Sequence, residues 1–365
     1  MKPQLLNKAV CALFLIPTLM FGFTNPDWNG AHTKEKTIKK EYTVNSNATL
    51  KVDNSYGNVN VLTYSGNRVM IEVTIKTNSN NAEKAQKKLE EITVEFNASS
   101  DLVSAKTIFN SNNSKSWWNS WSSSNNVNME VNYVIKLPIT NSVDLNNDYG
   151  SINVEKLEGR AIINCDYGKI TTKELMADDN DITFDYTNNS YFEYIKSGKI
   201  NADYSDYTVS KAKQLNINAD YTKSVIKVAE DVTYSCDYGS FTAENLNNLK
   251  GNGDYLTLVV GDVYRNVEIN ADYGSIKIGK MTANAGNVYI QSNYTGITIG
   301  YDPSYHFKFD LDLQYASLRD SDGFEFTKKK VESTDKYYVG YYGNPSSSNN
   351  IKINSDYGSV TFKKQ

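Results

Sequence analysis

Two similar stretches of the chain are INADYGSIKI at Ile269–Ile278 and INSDYGSVTF at Ile353–Phe362. They are copies of a short sequence motif, here called the phrase, that recurs many times. Its core is Asn-x-Asp-Tyr, often followed by Gly or Thr. The tyrosines of this phrase are Tyr149, Tyr167, Tyr186, Tyr204, Tyr221, Tyr238, Tyr255, Tyr273, Tyr294, Tyr315 and Tyr357. The first ten are 17 to 21 residues apart. This period is too short for a helical-pair repeat or a propeller blade and is typical of one coil of a β-solenoid.

Apolar residues recur at fixed distances from each tyrosine, which predicts the inside of every coil. Four positions before the tyrosine stand Leu145, Ile163, Ile182, Ile200, Ile217, Ile269, Ile290, Leu311 and Ile353. Further apolar positions follow three, five and eight residues after it. We therefore predict an all-β protein, a parallel β-solenoid of about eleven coils, roughly 50 Å long at the usual strand spacing. Circular dichroism dominated by helix would contradict this prediction.

The repeat tyrosines have the same strand parity as the inward apolar residues. This parity predicts a stack of offset rings that is structural first, with hydroxyls that reach water at the corner of each coil. If the rings are exposed instead, the stripe favours binding of a glycan or another surface.

The first residues predict export. Lys2 and Lys8 precede a short apolar run, so residues 1–24 are predicted to be a signal peptide, with cleavage between about 22 and 31. No later stretch is long and apolar enough to span a membrane. We expect a mature protein in the periplasm, at the cell surface or secreted.

Charge and cysteine usage narrow the function classes. The formal net charge is −4 and no basic cluster is present, so nucleic acid is not an expected partner. Beyond the predicted signal, Cys165 and Cys236 occupy the same coil position four coils apart, about 19 Å at the strand spacing. That distance excludes a disulfide.

The region 32–140 differs from the repeat domain at 141–365. Its predicted strands show alternating apolar and polar residues but do not contain the regularly spaced phrase. The sequence from Asp53 to Gly57 resembles an early copy of the phrase. Residues 81–92 are predicted to form an amphipathic helix that covers the first coil as a cap, because an open solenoid end must be protected from edge pairing.

Residues 111–126 consist mainly of Ser and Asn but contain Trp117, Trp118 and Trp121. We predict that this segment is the tip of a hairpin between strands 102–109 and 127–138. The indoles either fold back as a hydrophobic lid or stay exposed as candidate ligand contacts.

Candidate chemistry is concentrated in a column of carboxylates. The two histidines, His32 and His306, supply little material for a triad or a zinc site. The column comprises Asp148, Asp166, Asp185, Asp203, Asp220, Asp237, Asp254 and Asp272. The first interpretation is structural, with each carboxylate accepting N–H bonds from the turn that follows it. Alternatives are a metal site, with calcium as the only cofactor considered, and acid catalysis by a carboxylate pair. A parallel column of asparagines is predicted to face outward.

The chain resembles the DUF4097 family, bacterial β-strand-repeat proteins often labelled adhesins. The resemblance is carried by Ala48–Val61 (ATLKVDNSYGNVNV), the predicted helix, the strand Tyr133–Pro138 and the closing Val339–Phe362. It implies a right-handed solenoid, an extracytoplasmic location and no enzymatic activity. Where the family shows a Ser-Asn-Gly-like turn, this chain has Asp-Tyr-Gly.

The expected function is a secreted or cell-envelope binding and scaffold protein, adhesin-like and not an enzyme. Its partner would be a surface glycan or a protein of unknown identity. A polysaccharide-acting β-helix enzyme and a ligand-free periplasmic structural protein are the alternatives.

Overall fold

The computed structural model describes residues 28–110 and 127–365. This part of the chain is nearly all β, with 27 strands in one long open sheet and one helix. None of its helices is long and apolar enough to cross a bilayer. The predicted signal peptide at 1–24 and the three tryptophans at 117, 118 and 121 lie outside the described residues.

The N-terminal region contains seven strands and the helix. They are β1 (His32–Thr43), β2 (Thr49–Ser55), β3 (Val59–Tyr64), β4 (Arg68–Ser79), α1 (Ala82–Glu91), β5 (Ile92–Ala98), β6 (Leu102–Phe109) and β7 (Asn128–Pro138).

The repeats contribute the next sixteen strands. They are β8 (Ser142–Asp148), β9 (Ser151–Val154), β10 (Ala161–Asp166), β11 (Lys169–Leu175), β12 (Asn180–Asp185), β13 (Ser190–Asp203), β14 (Asp206–Asp220), β15 (Lys223–Ser235), β16 (Ser240–Asp254), β17 (Thr257–Val263), β18 (Val267–Asp272), β19 (Ser275–Met281), β20 (Val288–Asn293), β21 (Gly296–Tyr301), β22 (Phe307–Gln314) and β23 (Ser317–Arg319). The last four are β24 (Phe324–Val331), β25 (Asp335–Tyr342), β26 (Asn350–Asp356) and β27 (Ser359–Lys364).

Each repeat pairs in parallel with the next, and equivalent residues lie opposite one another. Ile163 pairs with Leu145 on one side and with Ile182 on the other. The apolar residues four positions before the tyrosines are at most 3% exposed. The predicted inward column is therefore confirmed, because an unshifted register keeps every side chain on the same face of the sheet.

The early copy of the phrase forms a coil of its own. β2 pairs in parallel with β8, and β3 pairs in parallel with β9, so Tyr56 lies directly next to Tyr149 in the stack. The coil is thus continuous with the repeats although 93 residues separate the two tyrosines.

The open edge of this first coil is covered by strands, not by the helix as predicted. β6 pairs with β2 and β5, whereas β7 pairs with β3 and β4. The expected hairpin between β6 and β7 is therefore wrong, since the two strands extend different walls of the first coil. Their alternating sequences fit antiparallel and parallel pairing equally well, so the pattern could not identify their partners.

The helix has the predicted bounds, with Asn81 as N-cap and Ile92 as C-cap. The Asn81 side chain accepts a bond from the Lys84 amide, as capping residues do. Ala85 and Leu89 are buried, and Lys36 of β1 donates to the Leu89 and Ile92 carbonyls at 2.6 and 2.7 Å. The helix thus packs against β1 and β4 and closes the core beside the first coil.

A buried polar network joins the two walls at this end. The Tyr133 and Thr107 hydroxyls lie 2.8 Å apart, and Thr107 donates to Asn54 Oδ1 at 2.8 Å. The Asn54 amide donates to Asn147 Oδ1 at 2.9 Å. Burial raises the pKa of Tyr133 well above its usual range. Because each of these side chains has a partner, the network fixes the position of β6 and β7 on the first coil.

The C-terminal end is closed by a fold-back of the chain. The predicted longer hairpin is present as β24 and β25, and β25 pairs in antiparallel fashion with β22. β26 then inserts between β20 and β22, so the coil of Tyr357 lies between those of Tyr294 and Tyr315. The outermost strand β24 carries Lys328, Lys329 and Lys330, which discourage pairing at an exposed edge.

Candidate functional site

The repeat tyrosines form one continuous exposed stack, which we call the tyrosine ladder. It contains Tyr56, Tyr149, Tyr167, Tyr186, Tyr204, Tyr221, Tyr238, Tyr255, Tyr273, Tyr294, Tyr357 and Tyr315, in this spatial order. Neighbouring ring centroids are 4.7 to 5.2 Å apart, and the rings are within 8° of parallel.

The expected inward parity of these tyrosines is wrong. From Tyr149 onwards they are 43 to 58% exposed. The reason is the backbone, since all twelve have φ between 49 and 61°, in the left-handed region. Alternation of side chains holds only while the backbone is extended, and the left-handed residue at the corner turns its Cβ outward.

Stacking determines what the ladder presents to solvent. Each inner ring is covered on both faces by its neighbours, and at the N-terminal end Phe109 packs edge-on against Tyr56 at 5.8 Å. Ring edges and hydroxyl groups therefore face outward, not flat ring faces. In the described residues no ladder hydroxyl has a hydrogen-bond partner within the chain. The ladder is a row of unused phenol donors at the coil spacing.

The aspartates immediately before the tyrosines form a second row, the aspartate column. We predicted that their carboxylates accept bonds from the turn that follows. In the structure they accept bonds from the next coil instead. Asp166, Asp185, Asp203, Asp220 and Asp237 each use Oδ1 to accept the amide of the next coil's aspartate, at 2.8 to 3.2 Å. The tyrosine amide of one coil donates to the aspartate carbonyl of the next. The left-handed corner directs these groups along the stack, which a local turn pattern does not reveal.

The aspartate column differs from the other acidic groups on the surface. Acidic residues elsewhere pair with lysines of a neighbouring coil, as Asp144 does with Lys51 and Glu268 with Lys250. Within residues 28–110 and 127–365, no ion pair includes a member of the column. Five members of the column use Oδ1 for the next coil and keep Oδ2 as an available acceptor, namely Asp166, Asp185, Asp203, Asp220 and Asp237.

Partial burial, and after it the neighbouring carboxylates, raise pKa values within the column. The pKa of Asp254 is raised by partial burial and then by the neighbouring Asp237 and Asp272. The pKa of Asp185 is raised by burial, with smaller contributions from Asp166 and Asp203. These shifts disfavour the ionised carboxylates in the folded chain.

A pH effect follows from the direction of these shifts. A carboxyl group whose pKa is raised on folding stabilises the fold below its unfolded pKa and loses that contribution as the pH rises through the folded pKa. The double variant Asp185→Asn, Asp254→Asn keeps the amide oxygens as acceptors. We expect it to be more stable than the wild type at pH 7, by about 1 kcal/mol per removed repulsion.

Urea unfolding at pH 7 and near pH 4 measures this effect. The advantage should shrink at the lower pH, where the wild-type carboxyls bind protons. Asp144→Asn is the control and should lower stability at pH 7, because Asp144 is paired with Lys51 at 2.6 Å. A double variant less stable than the wild type at pH 7 would contradict the prediction.

The asparagine column follows the prediction. Asn146, Asn218, Asn252, Asn270 and Asn354 are exposed, and Asn164 and Asn201 are partly exposed. Asn218 donates to Asn201 Oδ1 at 3.2 Å, so amides of adjacent coils bond to one another. Tyrosine ladder, aspartate column and asparagine column together form one strip along the stack, which we call the polar-aromatic strip.

Other site predictions have different outcomes. Among the described residues, no group of three or more His, Cys, Asp or Glu side chains is arranged to hold a metal ion. Cys165 and Cys236 are free and buried, as expected. Burial raises the pKa of both thiols to about 12. Grooves on the outward face are shallow, and one of them is lined by Asp254, Asn270 and Asp272 of the strip.

Comparisons with known proteins find similar solved structures only. No model of a protein family matches the sequence. No curated protein matches it. A putative cell adhesion protein from Clostridium sporogenes is 14% identical, with 91% of this chain and 100% of that chain covered and a TM-score of 0.19. Putative adhesins from Parabacteroides distasonis and Parabacteroides merdae are 12% and 11% identical, cover 73% and 72% of this chain and 93% and 96% of theirs, and have TM-scores of 0.32 and 0.33. At these values the likeness adds nothing to the functional argument, which rests on the geometry of the strip.

Proposed function

We propose that this chain is an extracytoplasmic, non-enzymatic binding protein of the adhesin type, and that the polar-aromatic strip is its binding surface. The proposal includes the winding of the stack as a right-handed parallel β-solenoid. Parallel strands joined by crossover connections are right-handed in nearly all proteins. The sequence resemblance to the DUF4097 family and the predicted signal peptide support the location.

The observation that carries the proposal is the backbone of the tyrosines. A left-handed conformation costs a non-glycine residue about 1–2 kcal/mol, whereas glycine adopts it freely. Ring stacking returns about 0.5–1.5 kcal/mol per contact. The two terms nearly cancel, so folding alone gives little reason to place tyrosine at twelve successive corners. A function at the exposed edge of the rings explains the choice.

The shape of the strip favours binding over catalysis. It is a straight surface along the whole stack, with the same donors and acceptors in nearly every coil. No coil in the described part of the chain concentrates catalytic groups in a deep cleft. Such a repeated surface suits an extended or repetitive partner that gains affinity from many equal contacts.

A variant of the ladder tests this function. Tyr186, Tyr204, Tyr221, Tyr238 and Tyr255 are replaced by Gly, which accepts the positive φ and preserves the corners. The control replaces Tyr191 and Tyr264, which are exposed outside the ladder, by Ser. Labelled protein is applied to a glycan array and to fixed bacterial cells. We expect the ladder variant to lose at least tenfold in binding with a melting temperature close to the control's.

Two outcomes would contradict the proposal. The first is wild-type binding that the ladder variant reproduces unchanged. The second is a wild-type chain that binds neither surface nor a second copy of itself. Hydrolysis products from any polysaccharide on the array would favour the enzymatic alternative instead.

A further inference from the structure

We infer that the partner of the polar-aromatic strip is a second copy of this chain, with the two stacks side by side and parallel. This inference rests on the proposed function and names the partner of the same surface. It would make the protein a homophilic adhesin. Four features of the ladder support it: its exposed area, its repeat, its hydrogen-bonding groups and the charges on its two flanks.

The exposed area is large enough for a dimer. Eleven ladder tyrosines are each about half exposed. With about 200 Å² per aromatic side chain, they leave on the order of 1,000 Å² of ring surface uncovered. The largest apolar patch on a typical monomer is about 300–600 Å². A standard interface buries about 800 Å² per partner, so the ladder alone provides the required area.

The coil spacing restricts which partners can contact the whole ladder. A partner must keep step with the coil spacing of about 4.8 Å over all twelve coils. A repeat that differed by about 0.5 Å would be out of step by a full coil at the far end. A second copy has the same spacing by construction, so every coil can repeat the same contact.

The hydrogen-bonding groups are also complementary to themselves. The ladder offers phenol hydroxyls that lack partners within the described chain, and the aspartate column offers the unused Oδ2 atoms. A hydroxyl that donates to a carboxylate forms a short and comparatively strong hydrogen bond. The tyrosine hydroxyls of each copy can therefore donate hydrogen bonds to the aspartate carboxylates of the other copy.

The flanks of the ladder determine the relative orientation. On one side lies the aspartate column. On the other side lie the residues two positions after each tyrosine, of which six are Ser or Thr, two are basic (Lys169 and Lys223) and one is acidic (Asp206). A two-fold axis parallel to the stack places each tyrosine row against the partner's aspartates. A two-fold axis across the stack places aspartates against aspartates, and like charges repel. The parallel arrangement is therefore favoured.

Sedimentation velocity tests the inference with the wild type, the five-glycine ladder variant and a control in which Tyr191 and Tyr264 are replaced by Ser. We expect the wild type and the control to form dimers at micromolar concentration. The ladder variant should have a dimer dissociation constant at least tenfold higher. A wild type that stays monomeric up to about 100-fold higher concentration would overturn the inference.

Photo-oxidative tyrosine cross-linking with peptide mass spectrometry tests the orientation. Parallel stacks should give dityrosine between equal coils, such as Tyr204 with Tyr204, which one chain alone cannot form. Links between adjacent coils, such as Tyr204 with Tyr221, also arise within one stack and are not counted. Links between opposite ends, such as Tyr149 with Tyr357, would overturn the parallel arrangement. Ladder-dependent binding to glycans or cells by a strictly monomeric chain would refute the second copy as partner while the proposed function stands. Loss of ladder dependence in every assay would refute both.

Discussion

The substitution Gly251→Ile is expected to destabilise the chain by about 3 kcal/mol or more, and a second substitution, Tyr234→Ile, is expected to restore the part of that loss that the tyrosine ring causes. The two residues are paired neighbours in the inward column, between Ile217 and Ile269. A Cβ atom at Gly251 would lie 2.4 Å from Cδ1 of the Tyr234 ring and 2.4 Å from the Tyr234 carbonyl oxygen. Glycine thus provides the space that the tyrosine ring occupies.

Tyr234→Ile alone should also destabilise the fold. The ring is 2% exposed and stacks on Phe241 at 4.9 Å, and its removal leaves a cavity that costs about 2–4 kcal/mol. The loss is reduced because the buried hydroxyl has no hydrogen-bond partner. The double variant removes the clash with the ring but keeps the contact with the carbonyl oxygen of residue 234, so it should be less stable than the wild type and clearly more stable than the sum of the two single variants predicts.

Urea unfolding of the four proteins gives the coupling energy directly. As a control, Gly251→Ile is combined with Ile163→Val, four or more coils away, and those two effects should simply add. If the Tyr234→Ile, Gly251→Ile protein is as unstable as the sum of its single variants, the two residues do not share one space and the interpretation fails.

The second large effect concerns the glycine after the tyrosine. Gly168→Ala is expected to destabilise the chain by about 3 kcal/mol, because a Cβ atom there would lie 1.9 Å from the carbonyl oxygen of Gly150 in the preceding coil. Neither the backbone oxygen nor the corner can move without breaking pairing between the two coils.

Gly296→Ala is the matched control. It stands two residues after Tyr294, and a Cβ atom there meets nothing within 4 Å. This substitution should be neutral or stabilise by up to about 1 kcal/mol through a less flexible unfolded chain. Thermal melts of both variants measure the contrast. Equal melting temperatures would show that the corners tolerate a side chain and that close approach does not require glycine there.

The tertiary structure changed the interpretation of the candidate site more than it changed the predicted core. The sequence identified the tyrosine and aspartate positions, but it interpreted both as structural first, with the rings in the interior and the carboxylates in local turns. Its candidate ligand contacts were Trp117, Trp118 and Trp121. The orientation of Tyr221, for example, depends on a φ of 51° that no periodicity encodes. For the tryptophans at 117, 118 and 121, exposure as ligand contacts stays a prediction.

The sequence by itself determined the properties that depend on near neighbours. A period of 17 to 21 residues with an apolar residue at a constant place implies unshifted parallel pairing, because only that register buries the same column in every coil. It also determined the bounds of α1, from its apolar stripe, and the separation of Cys165 from Cys236. These features follow from spacing along the chain.

The tertiary structure alone decided which segments meet when they are distant in sequence. The insertion of β26 between β20 and β22, and the assignment of β6 and β7 to different walls, depend on which open edges remain once the repeats are stacked. Strands with similar alternation can pair with several partners at similar local energy. The choice among them is made by non-local contacts, such as the buried Asn54, Thr107 and Tyr133 network, which sequence periodicity does not record.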